Sequence, residues 1–135
     1  MTTLGFPKSH RLLRPADYSQ VFDRVTYKVP HRNFLILAAP NSLGHARVGL
    51  IFSKRNVKLA VQRNRIKRQV RETFRHETAL PALDIVVLGR QGLPQLDNTE
   101  VHTVLTELWR RLRKKVRSAE GSLTGDRSPP GTGSA

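Results

Sequence analysis

A strongly basic stretch at residues 54–75 constrains this chain more than any other feature of its sequence. The stretch reads KRNVKLAVQRNRIKRQVRETFR. Nine of its twenty-two residues are Lys or Arg, and Glu72 is its only acid. The apolar positions that recur at helical spacing are Leu59, Ile66, Val70, Thr73 and, at the margin, Phe74. This spacing predicts an amphipathic helix over about Val57–His76, with one narrow stripe to bury.

The opposite side of the predicted helix is crowded with positive charge. Arg63, Lys67 and Arg71 follow one another at four-residue spacing, where like charges repel by about a few tenths of a kcal/mol per pair. A solvated helix face is the alternative interpretation, but such faces usually interleave acids with bases. Because the stretch contains one acid, we interpret the helix as a surface for a polyanion, most simply a nucleic-acid backbone.

The overall charge agrees with a polyanionic partner. The 135 residues contain 24 Lys+Arg against 10 Asp+Glu, which gives a formal net charge of +14. A membrane surface is the rival polyanion, but no apolar run approaches the ~18 residues that a span needs, and the N-terminus lacks the apolar core of a signal peptide. There is no cysteine, which excludes disulfides and Cys-ligated zinc. We therefore expect one domain, located in the cytoplasm.

A short helix is predicted near the N-terminus. Met1–Arg14 is basic and irregular, and it is either an arm laid on RNA or a disordered leader. Pro15 suits the first position of a helix of about ten residues. The apolar residues at helical spacing in it are Tyr18, Val21, Phe22 and Val25. Tyr18 and Phe22 share one face, so they either belong to the core or form a surface on which single-stranded nucleotides stack.

Four segments have the composition of β-strands. Three of them precede the basic helix, at Thr26–Val29, Asn33–Ala39 and Ala46–Ser53, and the fourth, Leu83–Gly89, follows it. Pro and Gly residues mark the turns between them. The order of helix, strands, basic helix, strand and helix predicts an α+β fold, a single domain of two layers in which a small sheet packs against helices.

A second basic helix is predicted after the last strand. Asp97 can cap it, with Glu100 three residues later in a capping box. Six of the eight residues from Arg110 to Arg117 are basic. These cations either complement the helix macrodipole or form a secondary patch that faces RNA. The members of this patch are Arg110, Arg111, Arg113, Lys114 and Lys115.

The last eighteen residues are expected to form a disordered tail. Ten of the eighteen residues at 118–135 are Gly, Ser or Pro, and such a composition is too poor in apolar side chains to support a core. The expected organisation is therefore a basic arm at 1–14, an α+β RNA-binding domain at 15–117, and the tail at 118–135.

No catalytic constellation is visible in the sequence. The ten acids are scattered, without a pair placed to hold two metal ions, and the five histidines lack zinc-binding spacing. A glycine-rich phosphate loop is also missing. These features favour a protein that binds and positions its partner over a self-sufficient nuclease. They leave open a ribonucleoprotein subunit and a ribosomal-type or RNA-chaperone protein that binds structured RNA.

The central motif resembles that of a known family. The segment AVQRNRIKRQVRE, preceded by VGLIFSKRNVKL and, further upstream, by residues 17–22, closely resembles the signature of the protein subunit of bacterial ribonuclease P. The RNR triplet at residues 63–65 lies where that family carries its RNR motif. The resemblance extends over about residues 9–116, with order and spacing matching outside the central motif.

This resemblance implies a fold and an activity. It implies an α+β domain of ribosomal-protein type with a mixed sheet of about four strands, whose parallel strands are joined by a left-handed crossover against the usual right-handed rule. It also implies that a catalytic RNA carries the active site and that the protein assists Mg²⁺-dependent removal of the 5′ leader from precursor tRNA. The Mg²⁺ would be held mainly by RNA, and neither a catalytic residue in this chain nor a small-molecule substrate is expected.

The resemblance and the charge pattern together assign residues to these partners. The residues predicted to contact the catalytic RNA are Arg63, Asn64, Arg65, Lys67, Arg68 and Arg71, extended at the junction before the helix by Lys54 and Arg55. The leader is predicted to lie in a groove, stacked without strong sequence preference. The residues predicted to line it are Tyr18, Phe22, Phe34, Val48 and Leu50.

Overall fold

Four strands form one mixed sheet in the computed structural model of the chain, which describes residues 11–12, 14–77 and 80–125. The strands are β1 (Tyr27–Pro30), β2 (Phe34–Pro40), β3 (Arg47–Ile51) and β4 (Leu83–Gly89). They are ordered β1-β2-β4-β3, with β3 and β4 parallel and the other neighbours antiparallel. The predicted four-stranded mixed sheet is confirmed, and β4 has the predicted bounds.

Three helices accompany the sheet in the predicted order. They are α1 (Pro15–Asp23), α2 (Ala60–Arg75) and α3 (Asn98–Gly125), and a 3-10 turn at Leu93–Gln95 precedes the last of them. α2 connects the two parallel strands, and the handedness of this crossover stays a prediction. Within the described part of the chain, no helix is long and apolar enough to cross a bilayer.

Alternation along the strands gives the sheet two apolar faces. Phe34 and Ile36 of β2 belong to the main core, together with buried side chains of α2 and α3. Leu37 belongs to a smaller cluster with Val21 of α1 and Val86 of β4. Because successive side chains of a strand point to opposite faces, α1 covers one side of the sheet, and α2 and α3 cover the other.

Burial along α2 follows the predicted stripe except at its first position. The buried residues are Ile66, Val70, Thr73 and Phe74. Leu59 is instead 61% exposed, because the helix begins at Ala60 and Leu59 is its extended N-cap residue. The carbonyl oxygens of Val57 and Lys58 accept hydrogen bonds from Arg63, at 2.8 and 2.9 Å. The chain therefore enters the helix later than predicted.

A buried polar pair joins α2 to α3. The indole N–H of Trp109 donates to the Thr73 hydroxyl oxygen over 2.9 Å, and the hydroxyl has its own acceptor in the Gln69 carbonyl oxygen at 2.9 Å. The rings of Trp109 and Phe74 lie 5.5 Å apart between centroids. Thr73 thus belongs to the buried stripe because its polar group is satisfied there.

α3 begins as predicted but ends later. The N–H of Glu100 donates to the Asp97 carboxylate and the N–H of Asp97 to the Glu100 carboxylate, each over 2.8 Å, which is the predicted capping box. The helix continues to Gly125, so the prediction of disorder is wrong for residues 118–125. An existing helix gains one backbone hydrogen bond per added residue, and no proline occurs before Pro129 to stop it. Residues 126–135 lie outside the described residues.

The predicted N-terminal arm is described at its last residues only, since residues 1–10 and 13 lie outside the described part. Arg11 forms a β-bridge with Val48, and the N–H of Leu12 donates to the Val48 carbonyl oxygen over 3.0 Å. Leu12 is buried in the smaller cluster beside α1. This part of the chain, predicted to be irregular, therefore pairs with the outer edge of β3.

Candidate nucleic-acid interface

α2 turns most of its cations away from the core. Asn64 and Arg68 are exposed on the side opposite the buried Ile66. Lys54 and Arg55 are exposed on the connection that leads into the helix. We define the α2 basic face as Arg63, Asn64, Arg65, Lys67, Arg68 and Arg71. The structure thus keeps the predicted set together on one side of one helix.

Neutral groups hold two of these arginines in place. Arg63 is fixed by the two carbonyl oxygens before the helix. Arg65 donates from Nε to the Gln62 side-chain oxygen and from an outer nitrogen to the Asn98 side-chain oxygen, each over 2.9 Å. Among the side chains that the structure describes, no carboxylate forms an ion pair with the α2 basic face. The two guanidiniums are therefore positioned without being neutralised.

Positive charge also crowds around Arg71. This side chain is partly buried on the flank of α2. Burial lowers the pKa of its guanidinium, and the neighbouring positive charge of Arg11 lowers that pKa further. The charge of Arg11 repels the charge of Arg71, and an anion bound beside the two side chains would relieve this repulsion.

The C-terminal turn of α2 differs from the rest of the helix. Glu72 accepts hydrogen bonds from Arg75 at 2.7 and 2.8 Å and lies 3.2 Å from Nε2 of His76. The hydrogen bond from Arg75 lowers the pKa of Glu72. Arg68 and Arg75 lie on the same side of the helix, two turns apart, but Arg75 is matched by an acid. The uncompensated charge therefore ends before the last turn.

Acids pair with some members of the predicted secondary patch on α3. Glu107 accepts hydrogen bonds from Arg110 at 2.6 Å and from Arg111 at 3.2 Å. These bonds lower the pKa of Glu107 to about 2, and the bond from Arg110 has the larger effect. Glu77 pairs with Arg113. Two carboxylates therefore contact three of the five members, and the patch as a whole keeps a net positive charge, so that it faces RNA stays a prediction. The members that are exposed without an ion pair in the described part of the chain are Lys114 and Lys115.

The aromatic pair of α1 is divided between two roles. Phe22 is 45% exposed. Tyr18 packs on the sheet, where a Cβ at Gly49 would lie 2.6 Å from its ring, and its hydroxyl donates to the Leu12 carbonyl oxygen over 3.2 Å. Tyr18 therefore anchors the helix, and Phe22 leaves ring surface open for a ligand.

The prediction that Phe34, Val48 and Leu50 line a groove with this pair is wrong. Phe34 and Val48 are buried in the main core, and Leu50 packs against that core. Their side chains point toward α2 and α3, whereas α1 covers the other face of the sheet. The error is one of strand register, because a shift of one residue moves a side chain to the opposite face.

Other residues than the predicted ones line the open part of the sheet on the side that α1 covers. A cleft of about 740 Å³ lies there, with Leu35 and Leu88, neighbours across β2 and β4, as its apolar floor. Lys28, Arg90 and Lys115 add positive charge around it. Alternation of side chains along the strands predicts that the two leucines lie on this side of the sheet. The three cations come from separate parts of the chain, so no local sequence pattern predicts that they meet.

A buried ionic network fixes α1 to the sheet. Arg47 of β3 donates to both carboxylate oxygens of Asp84 in β4, at 2.8 and 2.7 Å, and Asn41 donates to the same carboxylate at 2.8 Å. The carboxylate of Asp17, in the first turn of α1, lies 3.7 Å from the Arg47 guanidinium. Hydrogen bonding to Asp84 raises the pKa of Arg47. The network thus holds the helix that carries Phe22.

Among the side chains that the structure describes, no group of three His, Cys, Asp or Glu could hold a metal ion. That Mg²⁺ is held mainly by RNA stays a prediction.

Sequence comparison gives the relatives of the chain. A family model described as ribonuclease P matches residues 6–113. The ribonuclease P protein component of Marinobacter nauticus is 71% identical over 119 residues, which cover 88% of this chain and 90% of that protein. The ribonuclease P protein component of Chromohalobacter salexigens is 52% identical over 125 residues, which cover 92% of this chain and 98% of that protein.

Solved structures agree with this relationship. The chain superimposes on the RNase P protein of Staphylococcus aureus with a TM-score of 0.71 at 29% identity, covering 77% of this chain and 95% of that one. It superimposes on the RNase P protein of Thermotoga maritima with a TM-score of 0.65 at 27% identity, covering 77% of this chain and 96% of that one. The similarity therefore extends over nearly the whole of both solved proteins.

Proposed function

The chain belongs to the ribonuclease P protein family, and on that premise we propose that it binds a catalytic RNA through the α2 basic face and the 5′ leader of precursor tRNA beside α1. It thereby assists the Mg²⁺-dependent endonucleolytic cleavage that produces the mature 5′ end of the tRNA. The RNA subunit carries the catalytic centre, and this chain acts as its accessory protein in the cytoplasm.

One observation carries the proposal: the α2 basic face has no acidic partner in the described part of the chain, although acids at the end of the helix and just beyond it pair with Arg75 and Arg113. Arg65 and Arg68 can each fork onto phosphate oxygens, and Asn64 can donate a hydrogen bond without adding charge. Each neutralised phosphate releases counterions, so binding should weaken steeply as salt is raised. A folded RNA satisfies these requirements.

The side of the sheet that α1 covers supports the second contact. Phe22 offers an exposed ring on which bases stack with little sequence preference. Leu35 and Leu88 provide an apolar floor, and Lys28 and Arg90 stand where a backbone phosphate could be held. Such a surface suits a single strand that varies in sequence, as a leader does.

The proposal is tested by cleavage across a Mg²⁺ series. Adding the purified protein to the catalytic RNA should lower the Mg²⁺ concentration needed to remove the leader, because its cations reduce repulsion between crowded phosphates. Single-turnover rates with and without protein measure this. An unchanged rate at every Mg²⁺ concentration would overturn the proposal. A ribosomal-type or chaperone protein would instead bind many structured RNAs without favouring leader-bearing precursor over leaderless tRNA.

Replacing Phe22 with alanine should reduce the preference for leader-bearing precursor. Loss of a stacking ring costs about 1–3 kcal/mol, which corresponds to roughly 5- to 150-fold in the affinity ratio of leader-bearing to leaderless substrate. Affinity for the catalytic RNA should change little. Equilibrium binding of both substrates to the reconstituted complex measures the ratio.

Val25→Ala is the matched control for this change. Val25 is 38% exposed just beyond the same helix, and its aliphatic side chain offers no ring on which a base could stack. Its replacement should leave the affinity ratio within about threefold of the original protein, as expected of a surface substitution. Equal losses in both variants, or an unfolded Phe22→Ala protein, would contradict a stacking role.

A further inference from the structure

A second cleft lies on the other side of the molecule, beside the N-terminal end of α2. Its volume is about 470 Å³, which exceeds the ~300 Å³ at which small-molecule pockets begin. It is bounded by the connection from β3 into α2 and by the loop between β4 and α3. Leu59, at 61% exposure, and Pro94 give it apolar surface.

Three glutamine side chains line this cleft with unused hydrogen-bonding capacity. The side-chain oxygen of Gln62 accepts from Arg65, which leaves its amino group to donate. In the part of the chain that the structure describes, the side-chain amides of Gln91 and Gln95 make no hydrogen bond. Amides carry both donors and acceptors, as the edges of nucleobases do.

The charge around the cleft is positive. Arg55 and Lys58 line it, and no carboxylate is among its lining residues. Neither side chain forms an ion pair with any acid that the structure describes. An apolar wall, free amides and uncompensated cations together match the base, the base edges and the phosphate of one nucleotide.

We propose that this cleft binds a single unstacked nucleotide of the catalytic RNA. Arg55 and Lys58 hold its phosphate, Leu59 and Pro94 contact the face of the base, and the glutamine amides bind its edges. This inference rests on the proposed function for the identity of the RNA. The occupant comes from the RNA that covers α2, because Gln62, in the cleft, is bonded to Arg65 of the α2 basic face.

Two variants test the pocket without weakening the helix. Leu59→Ser removes the apolar wall and places a preferred N-cap residue where the present one makes no side-chain cap, so thermal stability should not fall. Gln95→Ala removes one free amide from an exposed position. Each variant should bind the catalytic RNA about tenfold more weakly.

Chemical probing identifies the nucleotide. Reagents that modify the Watson–Crick edges of unpaired bases are applied to the catalytic RNA, free and bound to the protein. The original protein should protect one unpaired base that both variants leave reactive. The matched control is Val61→Ser, which shortens an apolar side chain that is 70% exposed at the same helix end but outside the cleft, and it should preserve that protection.

The outcomes separate this inference from the proposed function. If the original protein lowers the Mg²⁺ requirement but Leu59→Ser and Gln95→Ala bind and protect as it does, the nucleotide pocket is wrong and the proposed function stands. A second outcome is that Arg55→Ala and Lys58→Ala weaken binding, but every base of the bound RNA has the same reactivity with each variant as with the original protein. The cleft then contacts phosphate alone, and the inference is overturned. If the original protein does not assist cleavage, the proposed function itself fails.

Discussion

Replacing Arg47 with methionine is expected to lower the free energy of unfolding by about 3 kcal/mol, because it leaves the buried Asp84 carboxylate without its cationic partner. Breaking a buried ion pair from one side costs roughly 3–5 kcal/mol, and the lower value applies here since the Asp84 carboxylate keeps the hydrogen bond from Asn41. The side chains of Arg47 and Asp84 are 17% and 7% exposed. Urea denaturation of the original protein and the variant measures the difference.

Two controls define the cause of that loss. Arg24→Met removes an exposed arginine that lines a third cleft, between α1 and the end of β2, together with Arg47, and its effect should stay within about 0.5 kcal/mol. The double change Arg47→Met with Asp84→Leu should recover most of the stability, because apolar residues replace both charges. Asn41 then retains the His45 carbonyl oxygen, at 3.2 Å, as an acceptor. If Arg47→Met alone is as stable as the original protein, the network does not hold α1 in place.

Replacing Arg65 and Arg68 together with alanine should weaken binding to the catalytic RNA by about 3–6 kcal/mol, since two charge-assisted hydrogen bonds worth roughly 1.5–3 kcal/mol each are lost. The slope of log affinity against log salt should become shallower by about 2, because two phosphate contacts are lost. Arg63 is left unchanged, because it also bonds the carbonyl oxygens before α2. Titrations at several salt concentrations measure both quantities.

Arg75→Ala is the control for the effect of position. It removes the same charge from the same side of α2 as a change at Arg68, but from a guanidinium already bound by Glu72. Its affinity should stay within about threefold of that of the original protein. If Arg75→Ala weakens binding as much as Arg68→Ala, net charge rather than the α2 basic face governs the contact.

Features that depend on neighbours along the chain could be predicted from the sequence. The continuous apolar run of β4 gave its bounds, and the capping box at Asp97 and Glu100 was identified from two residues three apart. The pairing of Glu107 with Arg110 and Arg111 was also accessible, since residues three and four apart on a helix are neighbours. The cations of the patch alone do not reveal this pairing.

The groove was the part of the site that the sequence predicted least well. Phe34 and Val48 are apolar strand residues, and the face on which each lies follows from strand register and from which helix covers which side of the sheet. Lys28 and Lys115 join one cleft although they come from β1 and α3. No local pattern links residues so far apart.

The amino-acid sequence alone predicted the order of helices and strands, the stripe of α2 that is buried, and the cationic character of its other side. Each of these features depends on periodicity within a few turns of the chain. Folding in three dimensions was needed to show which cations have an acidic partner. Glu77 meets Arg113, Arg47 meets Asp84, and Arg65 meets the neutral side chain of Asn98. Such partners are brought together by sheet register and helix packing, and those contacts leave the α2 basic face without an acidic partner in the described chain.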